Sequence, residues 1–137
     1  MARTIKRRSD CPISFALDLF GDRWSLLVIR DLMFKGKRTY GEFLKAGEGI
    51  ATNILADRLE TLENAGIIDK APDPDNGTRY LYSLTDRGLD LMPAMLEIIA
   101  WSGKHDAKTA VPSAFRKKIA NHRDALMTEL RRELEAR

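Results

Sequence analysis

The sequence predicts a mainly α-helical chain with one small β-hairpin. Three observations lead there. Amphipathic helical periods recur along most of the 137 residues, a Pro- and Gly-rich turn separates two short β-like runs, and the composition is globular at 44% hydrophobic and 31% charged. A chain this long buries roughly two-thirds of its unfolded surface, so one domain folds without disulfides or metal. One cysteine and two histidines supply neither a disulfide framework nor zinc-ligand spacing. No cofactor motif is present. Charge interrupts every apolar stretch, which argues against a membrane span, and no apolar signal core follows the basic start MARTIKRRSD. A cytoplasmic protein is expected.

Residues 1–10 form a basic arm, in which Arg3, Lys6, Arg7 and Arg8 face only Asp10. It reads either as a frayed terminus or as an arm for phosphates. Pro12 suits a first helical position, with Asp10 or Cys11 before it and Gly21 ending the helix. Ile13, Ala16, Leu17 and Phe20 make one apolar stripe, and Phe15 and Leu19 a second. Such a helix needs cover on two sides, its own core and a second subunit. RWSLLVIRDLMF, at 23–34, has almost no polar face and reads as a central helix. Arg30 and Asp31 within it need polar partners.

Thr39 and Glu42 spell a capping box that opens a short helix ending near Gly47. The turn Gly47–Gly49 leads into a helix at 51–64, closed by Gly66. Leu55, Leu59 and Leu62 form its apolar stripe, widened by Ile54, while Asn53, Ala56, Asp57, Glu60 and Asn64 lie opposite. Strands at 67–71 and 79–84 flank a turn at 72–78 that contains the hairpin pair Asn76-Gly77. Thr85 caps a helix over 86–102, with Pro93 predicting a kink or early break. Residues 103–112 read as a linker, and a last helix runs from Ser113 almost to the end.

This order, a capped short helix, a turn, an amphipathic helix and a hairpin, describes a winged helix-turn-helix. One face of the second helix packs on the body while the other suits a DNA major groove. The net charge of +3 is too small to identify a nucleic-acid binder by itself. Its placement is more telling: Lys35, Lys37, Arg38 and Lys45 flank the short helix, and Lys70 and Arg79 lie on the hairpin. A solvated face is the alternative for any one of these cations.

GDRWSLLVIRDL at 21–32, KRTYGEF at 37–43, GIATNILADRLETLENAGII at 49–68 and RYLYSLTDRG at 79–88, with Cys11-Pro12 ahead of them, resemble the segments of the HxlR-type winged-helix regulators over about 11–101. The resemblance implies a bacterial, sequence-specific DNA-binding transcriptional regulator that works as a homodimer on a pseudo-palindromic double-stranded operator. Carried over by position, base reading falls on Ala51, Thr52, Asn53, Ala56 and Asp57. Phosphate contacts fall on Lys37, Arg38, Lys45, Arg58 and Arg79, with Arg58 either reaching a phosphate or supporting the helix. Three departures bear on the operator rather than the function: Ala51 stands where a capping serine is usual, Thr52, Asn53 and Asp57 replace basic or glutamine side chains, and Asp73 and Asp75 put negative charge on the wing.

A dimer interface is expected from Ile13, Leu17 and Phe20 together with Met92, Leu96 and Ile99, and from Phe115, Ile119, Leu126 and Leu130 in the last helix. The organisation is therefore an arm at 1–10, a winged domain with dimerisation helices at 11–102, a linker at 103–112 and a dimerising helix at 113–137. Nothing in the chain builds a catalytic site, so an enzyme is not expected. The alternative function is a winged-helix module that docks proteins without binding DNA. Cys11 reads either as a small packing residue or as a sensor for an oxidant or small-molecule effector. It stands at a helix start near the basic arm, where negative charge is favoured. The family it resembles includes members that use a cysteine there.

Overall fold

The structure, a computed structural model, describes residues 6–136, so Arg3 of the basic arm lies outside the described residues. The chain divides into two compact units between Gly88 and Leu89. The first holds α1 (Pro12–Phe20), α2 (Ser25–Phe34), α3 (Tyr40–Leu44), α4 (Thr52–Asn64), β1 (Ile68–Asp73) and β2 (Asn76–Leu84). A single helical turn, α5 (Asp86–Leu89), spans the division. The second unit contains α6 (Met92–His105), α7 (Ser113–Asn121) and α8 (Arg123–Glu135). No helix among the described residues is long and apolar enough to cross a membrane.

In the first unit, α2 is the central element its composition predicts: Ser25, Val28, Ile29, Leu32 and Met33 are buried. Leu19 of α1, Phe43 of α3, Leu55, Leu59 and Leu62 of α4, and Ile67 and Ile68 complete the buried hydrophobic set. Local signals fix the joints. The Thr39 hydroxyl accepts the Glu42 N–H at 3.2 Å, and the Glu42 carboxylate accepts the Thr39 N–H at 3.1 Å, so both halves of the capping box form. At the end of α4, Gly66 adopts φ +75°. Its N–H reaches the Glu63 carbonyl and the Ile67 N–H reaches that of Leu62, both at 3.0 Å. This Schellman closure needs the left-handed conformation that glycine takes without strain.

The hairpin is antiparallel, with Ile68 opposite Leu84 and Lys70 opposite Tyr82. Its tip differs from the expected one. Both strands run farther out, and the reversal falls on Pro74-Asp75, leaving Asn76-Gly77 inside β2. Pro74 fixes φ for the turn, and the Asp73 carboxylate accepts the Asp75 N–H at 2.9 Å. Together they outweigh the Asn-Gly signal. Gly88 is required by contact: a Cβ there would stand 2.3 Å from the Ile67 carbonyl oxygen.

Two helices expected to be continuous are divided. The one predicted over 86–102 breaks after Leu89 and restarts at Met92, because Pro93 lacks an N–H and belongs to a first turn. The last helix breaks at His122, whose φ of −138° and ψ of 42° are not helical. Asn121 and His122 are poor helix formers, and the Arg123 Nε–H donates to the Ile119 carbonyl at 3.3 Å. Within this unit Met92, Met95, Leu96, Ile119 and Leu126 are buried, and Arg131 pairs with Asp90 at 2.7 Å.

Replacing the cap, Thr39→Ala, leaves the Glu42 N–H of α3 without its partner and is expected to cost about 1 kcal/mol. Urea denaturation measures it. A loss below a few tenths of that value excludes the box as a structural determinant.

Candidate nucleic-acid interface

The interface candidate is the exposed face of α4, with α3 before it and the hairpin behind it. Ala51, Thr52, Asn53 and Ala56, four of the residues expected to read bases, are all exposed. Ala51 occupies the N-cap and makes no side-chain cap bond. A different contact secures this end: the Tyr40 hydroxyl of α3 donates to the Thr52 carbonyl at 2.8 Å. The sequence signal for that role was only an aromatic with a polar tip beside a cap.

Asp57 and Arg58 are engaged with each other, and Arg58 stands in the supporting one of its two expected roles. The Arg58 guanidinium binds the Asp57 carboxylate through Nε at 3.1 Å and through Nη2, and its Nη1 lies 3.4 Å from Asp22. Arg58 is thus a support between α4 and the α1–α2 turn rather than a free phosphate contact. Asp57 is its partner. Asp22 in turn accepts the Trp24 and Ser25 N–H groups at 2.8 and 2.9 Å and the Ser25 hydroxyl at 2.6 Å. Burial alone pushes the Asp22 carboxyl up. The Ser25 hydroxyl, the Trp24 and Ser25 N–H groups and the Arg58 charge outweigh it and hold the group below the usual carboxylate range.

A second network lies nearby. Arg30 Nε and Nη2 donate to Asp31 at 3.0 and 2.9 Å, and Nη1 donates to Glu48 at 2.8 Å. Asp31 is buried, and that burial raises its carboxyl above the usual range despite Arg30. The two charged residues inside α2 are therefore paired, as their position requires.

The hairpin is joined to α3 and the residues just before it by three contacts. The Tyr82 N–H donates to the Arg38 carbonyl at 2.7 Å, the Arg38 Nε–H lies 3.4 Å from the Tyr82 carbonyl, and the Phe43 and Tyr82 rings meet edge-on at 5.9 Å. At the tip, Arg79 Nε donates to Asp73 at 2.7 Å. The Asp75 N–H and Arg79 hold the Asp73 carboxylate below its usual range. Asp73 is therefore neutralised and buried, not an exposed charge facing phosphates. Lys70 lies 4.6 Å from the Tyr80 ring and 3.8 Å from Glu63. Lys45 is exposed at the end of α3 and makes no ion pair among the described residues. Lys37 is half-buried, its N–H donating to the Asp31 carbonyl at 3.1 Å.

Cys11 is exposed at the N-cap of α1 with a free thiol. Two of the arm's cations are committed beside it: Arg7 pairs with Asp10 at 3.3 Å, and Arg8 with Asp18 at 3.8 Å. Of the residues expected at a dimer contact, Ile13 and Leu17 are 71% and 61% exposed. Phe20, Ile99, Phe115 and Leu130 are half-buried. Met92, Leu96, Ile119 and Leu126 are closed off within the chain, because the stripes that looked surplus fill its own interior. In the second unit Ile98 and Trp101 are exposed instead.

A family model for the HxlR-like helix-turn-helix matches residues 19–110. An uncharacterized HTH-type transcriptional regulator of Synechocystis is 43% identical over 86 residues, which are 63% of this chain and 63% of that protein's own length. The structure of the redox regulator HypR in its oxidized form aligns with a TM-score of 0.62 at 29% identity, covering 69% of this chain and 97% of HypR. The reduced transcriptional regulator YodB of Bacillus subtilis aligns at 0.58 and 29%, covering 72% and 96%. YodB has also been solved bound to quinone and treated with diamide. The chain belongs to the HxlR-like helix-turn-helix family.

The Asp22–Arg58 tie predicts an acid-sensitive support. A carboxyl depressed in the folded state contributes stability above its unfolded pKa and loses it as pH falls through the folded value. Thermal melts between neutral pH and about pH 3 are expected to fall more steeply for the native chain than for Asp22→Asn. Parallel acid limbs would remove Asp22 from the account.

Proposed function

We propose that this member of the HxlR-like family is a sequence-specific DNA-binding transcriptional regulator that acts as a homodimer on a pseudo-palindromic operator. The observation that carries the reading is the exposed face of α4. Thr52, Asn53 and Ala56 stand clear of the body, while Arg58 and Tyr40 hold the helix from behind and at its start. Asn53 suits adenine, which it can meet with paired hydrogen bonds, and Thr52 suits a hydroxyl contact or a thymine methyl. Lys45 supplies a phosphate contact beside α3, and the exposed half of Arg79 supplies one on the wing. A homodimer puts two such helices about one DNA turn apart. Ile13, projecting from α1, belongs to the subunit contact.

The same regulator responds to oxidants or electrophiles through Cys11. The supporting observations are its exposure at a helix start and the solved oxidized HypR and quinone- and diamide-treated YodB. With no second cysteine in the chain, peroxide converts the thiolate to a sulfenic acid and is reduced to water. A thiol, from a small molecule or the Cys11 of a second subunit, then displaces water and closes a disulfide.

Gel shifts on the DNA upstream of the gene, at two salt concentrations, test the reading. Lys45→Ala is expected to weaken all sequences alike and reduce the log–log salt slope by about one unit. Asn53→Ala is expected to change the preferred base at one position of each half-site, at a cost of roughly 1–3 kcal/mol. Absence of binding at low salt favours the protein-docking module instead.

Ile13→Asp is expected to sediment as a monomer and to lose specific binding. A tight dimer in that variant excludes α1 from the interface. Diamide or hydrogen peroxide is expected to change operator affinity in the native chain and not in Cys11→Ser; equal responses reduce Cys11 to a surface thiol.

A further inference from the structure

The second unit carries charge in two different arrangements. On α8, Arg123, Arg131 and Arg132 stand among Asp124, Glu129, Glu133 and Glu135. Arg123 pairs with Glu97 of α6, and Arg131 with Asp90 at 2.7 Å. This is the mixed surface that solubility alone calls for. On α7 the charged residues are Arg116, Lys117 and Lys118, all of one sign and all exposed. Their side chains make no ion pair or hydrogen bond among the described residues.

The neighbouring chain does not supply the missing negative charge. Between Lys104 and Asn121 the acid is Asp106, whose carboxylate accepts the Lys108 N–H at 2.9 Å and turns the chain after α6. The side chains of Lys104 and Lys108 are exposed and unpaired as well. Five cations therefore face one acid, and that acid is already engaged.

The fold gives these cations a defined surface. Ile119 is buried and Phe115 half-buried, so α7 rests on that side and turns the other outward. The remaining exposed residues of the helix are Ser113, Ala114, Ala120 and Asn121. They are short, so the long basic side chains stand above them and a bulky partner can approach closely. Arg116 also has a seat. It lies across Gly103 of α6, where a Cβ would stand 3.0 Å from its Nε and 3.2 Å from its Cδ. Gly103 is buried within a helix, where glycine is otherwise unfavourable. Its missing side chain holds the Arg116 stem and brings α7 beside the end of α6 that carries Lys104.

A solvated face needs neither a single sign nor short residues between its charges. A row of phosphates calls for both. A DNA duplex presents one negative charge per about 1.7 Å of its axis, a denser and more regular field than the mixed surface of a protein. We propose that α7, with Lys104 and Lys108 at its edge, is a second DNA-contacting surface that binds the sugar-phosphate backbone and reads no bases. The inference rests on the reading of the chain as a DNA-binding regulator. The family match ends at residue 110, so α7 stands outside the matched helix-turn-helix domain. Its phosphate contacts add to those of Lys45 and Arg79.

Fluorescence anisotropy of the full chain tests this, over a salt series, on the duplex upstream of the gene and on an unrelated duplex of equal length. The triple variant Arg116→Gln, Lys117→Gln, Lys118→Gln is expected to weaken both duplexes by the same factor. Its log–log salt slope is expected to fall by about two to three units, at roughly 0.9 per phosphate. Arg132→Gln, on the mixed surface of α8, is expected to leave the slope unchanged. Melting curves and sedimentation of the variants are expected to match the native chain, since the replaced side chains are exposed and unpaired. Should the triple variant fail to fold, Lys117→Gln alone is expected to lower the slope by about one unit.

A native slope in the triple variant, or in a folded Lys117→Gln standing in for it, overturns the inference and leaves the regulator standing. An equal fall per cation in Arg132→Gln would trace the effect to net charge and not to α7. Loss of base preference without uniform weakening would make α7 a reader of sequence, against the proposal. Native duplex binding combined with lost binding to phosphatidylglycerol vesicles would assign the cations to a membrane surface. A native chain that binds neither duplex at low salt defeats the regulator and the second surface together.

Discussion

The Asp22 carboxylate is the point on which the helix-turn-helix unit depends. One oxygen accepts two backbone N–H groups at the start of α2, and the other meets the Ser25 hydroxyl and Arg58 of α4. A charge of one sign thus satisfies a helix terminus and binds a cation from the helix that faces outward. Both partners are partly withdrawn from water, where such contacts are stronger and less screened by salt. The orientation of α4 is therefore set from behind by an ion pair and from its start by Tyr40, while its outer face stays free of internal bonds.

The same economy governs the rest of the unit. Each joint has one local device: the Thr39–Glu42 box for α3, the Gly66 closure for α4 and the Thr85 hydroxyl, which donates to the Gly66 carbonyl and accepts the Gly88 N–H, at the root of the hairpin. The hairpin is then tied to α3 by a main-chain bond to Arg38, just ahead of that helix, and by the Phe43–Tyr82 ring contact. Two strands alone are marginal in water. Docked in this way they become a wing with a defined position relative to α4.

Charge is distributed by the fold in a manner that composition does not reveal. Arg30 and Arg58 are turned inward to carboxylates, and Arg79 is shared between Asp73 and solvent. The acids that looked unfavourable on a DNA-facing wing and helix, Asp73 and Asp57, are the partners of these arginines.

Local chemistry was legible from the sequence because it acts over three or four residues. The capping box, the glycine closure, the Leu55–Leu59–Leu62 stripe and the start of α1 at Pro12 all stand where the residues place them. Ordered motifs were likewise enough to identify the family. The turn on Pro74-Asp75 and the breaks at Pro93 and His122 were less legible, since competing local signals there differ by little. What only the tertiary structure decided was the partner of each charge and the destination of each apolar stripe. Asp22 meets Arg58 across 36 positions of chain, and Met92, Leu96, Ile119 and Leu126 close inward while Ile13 and Trp101 remain outside. Those pairings are long-range. A side chain's periodicity says that it must be covered, and a charge's burial that it must be matched, but neither says by what.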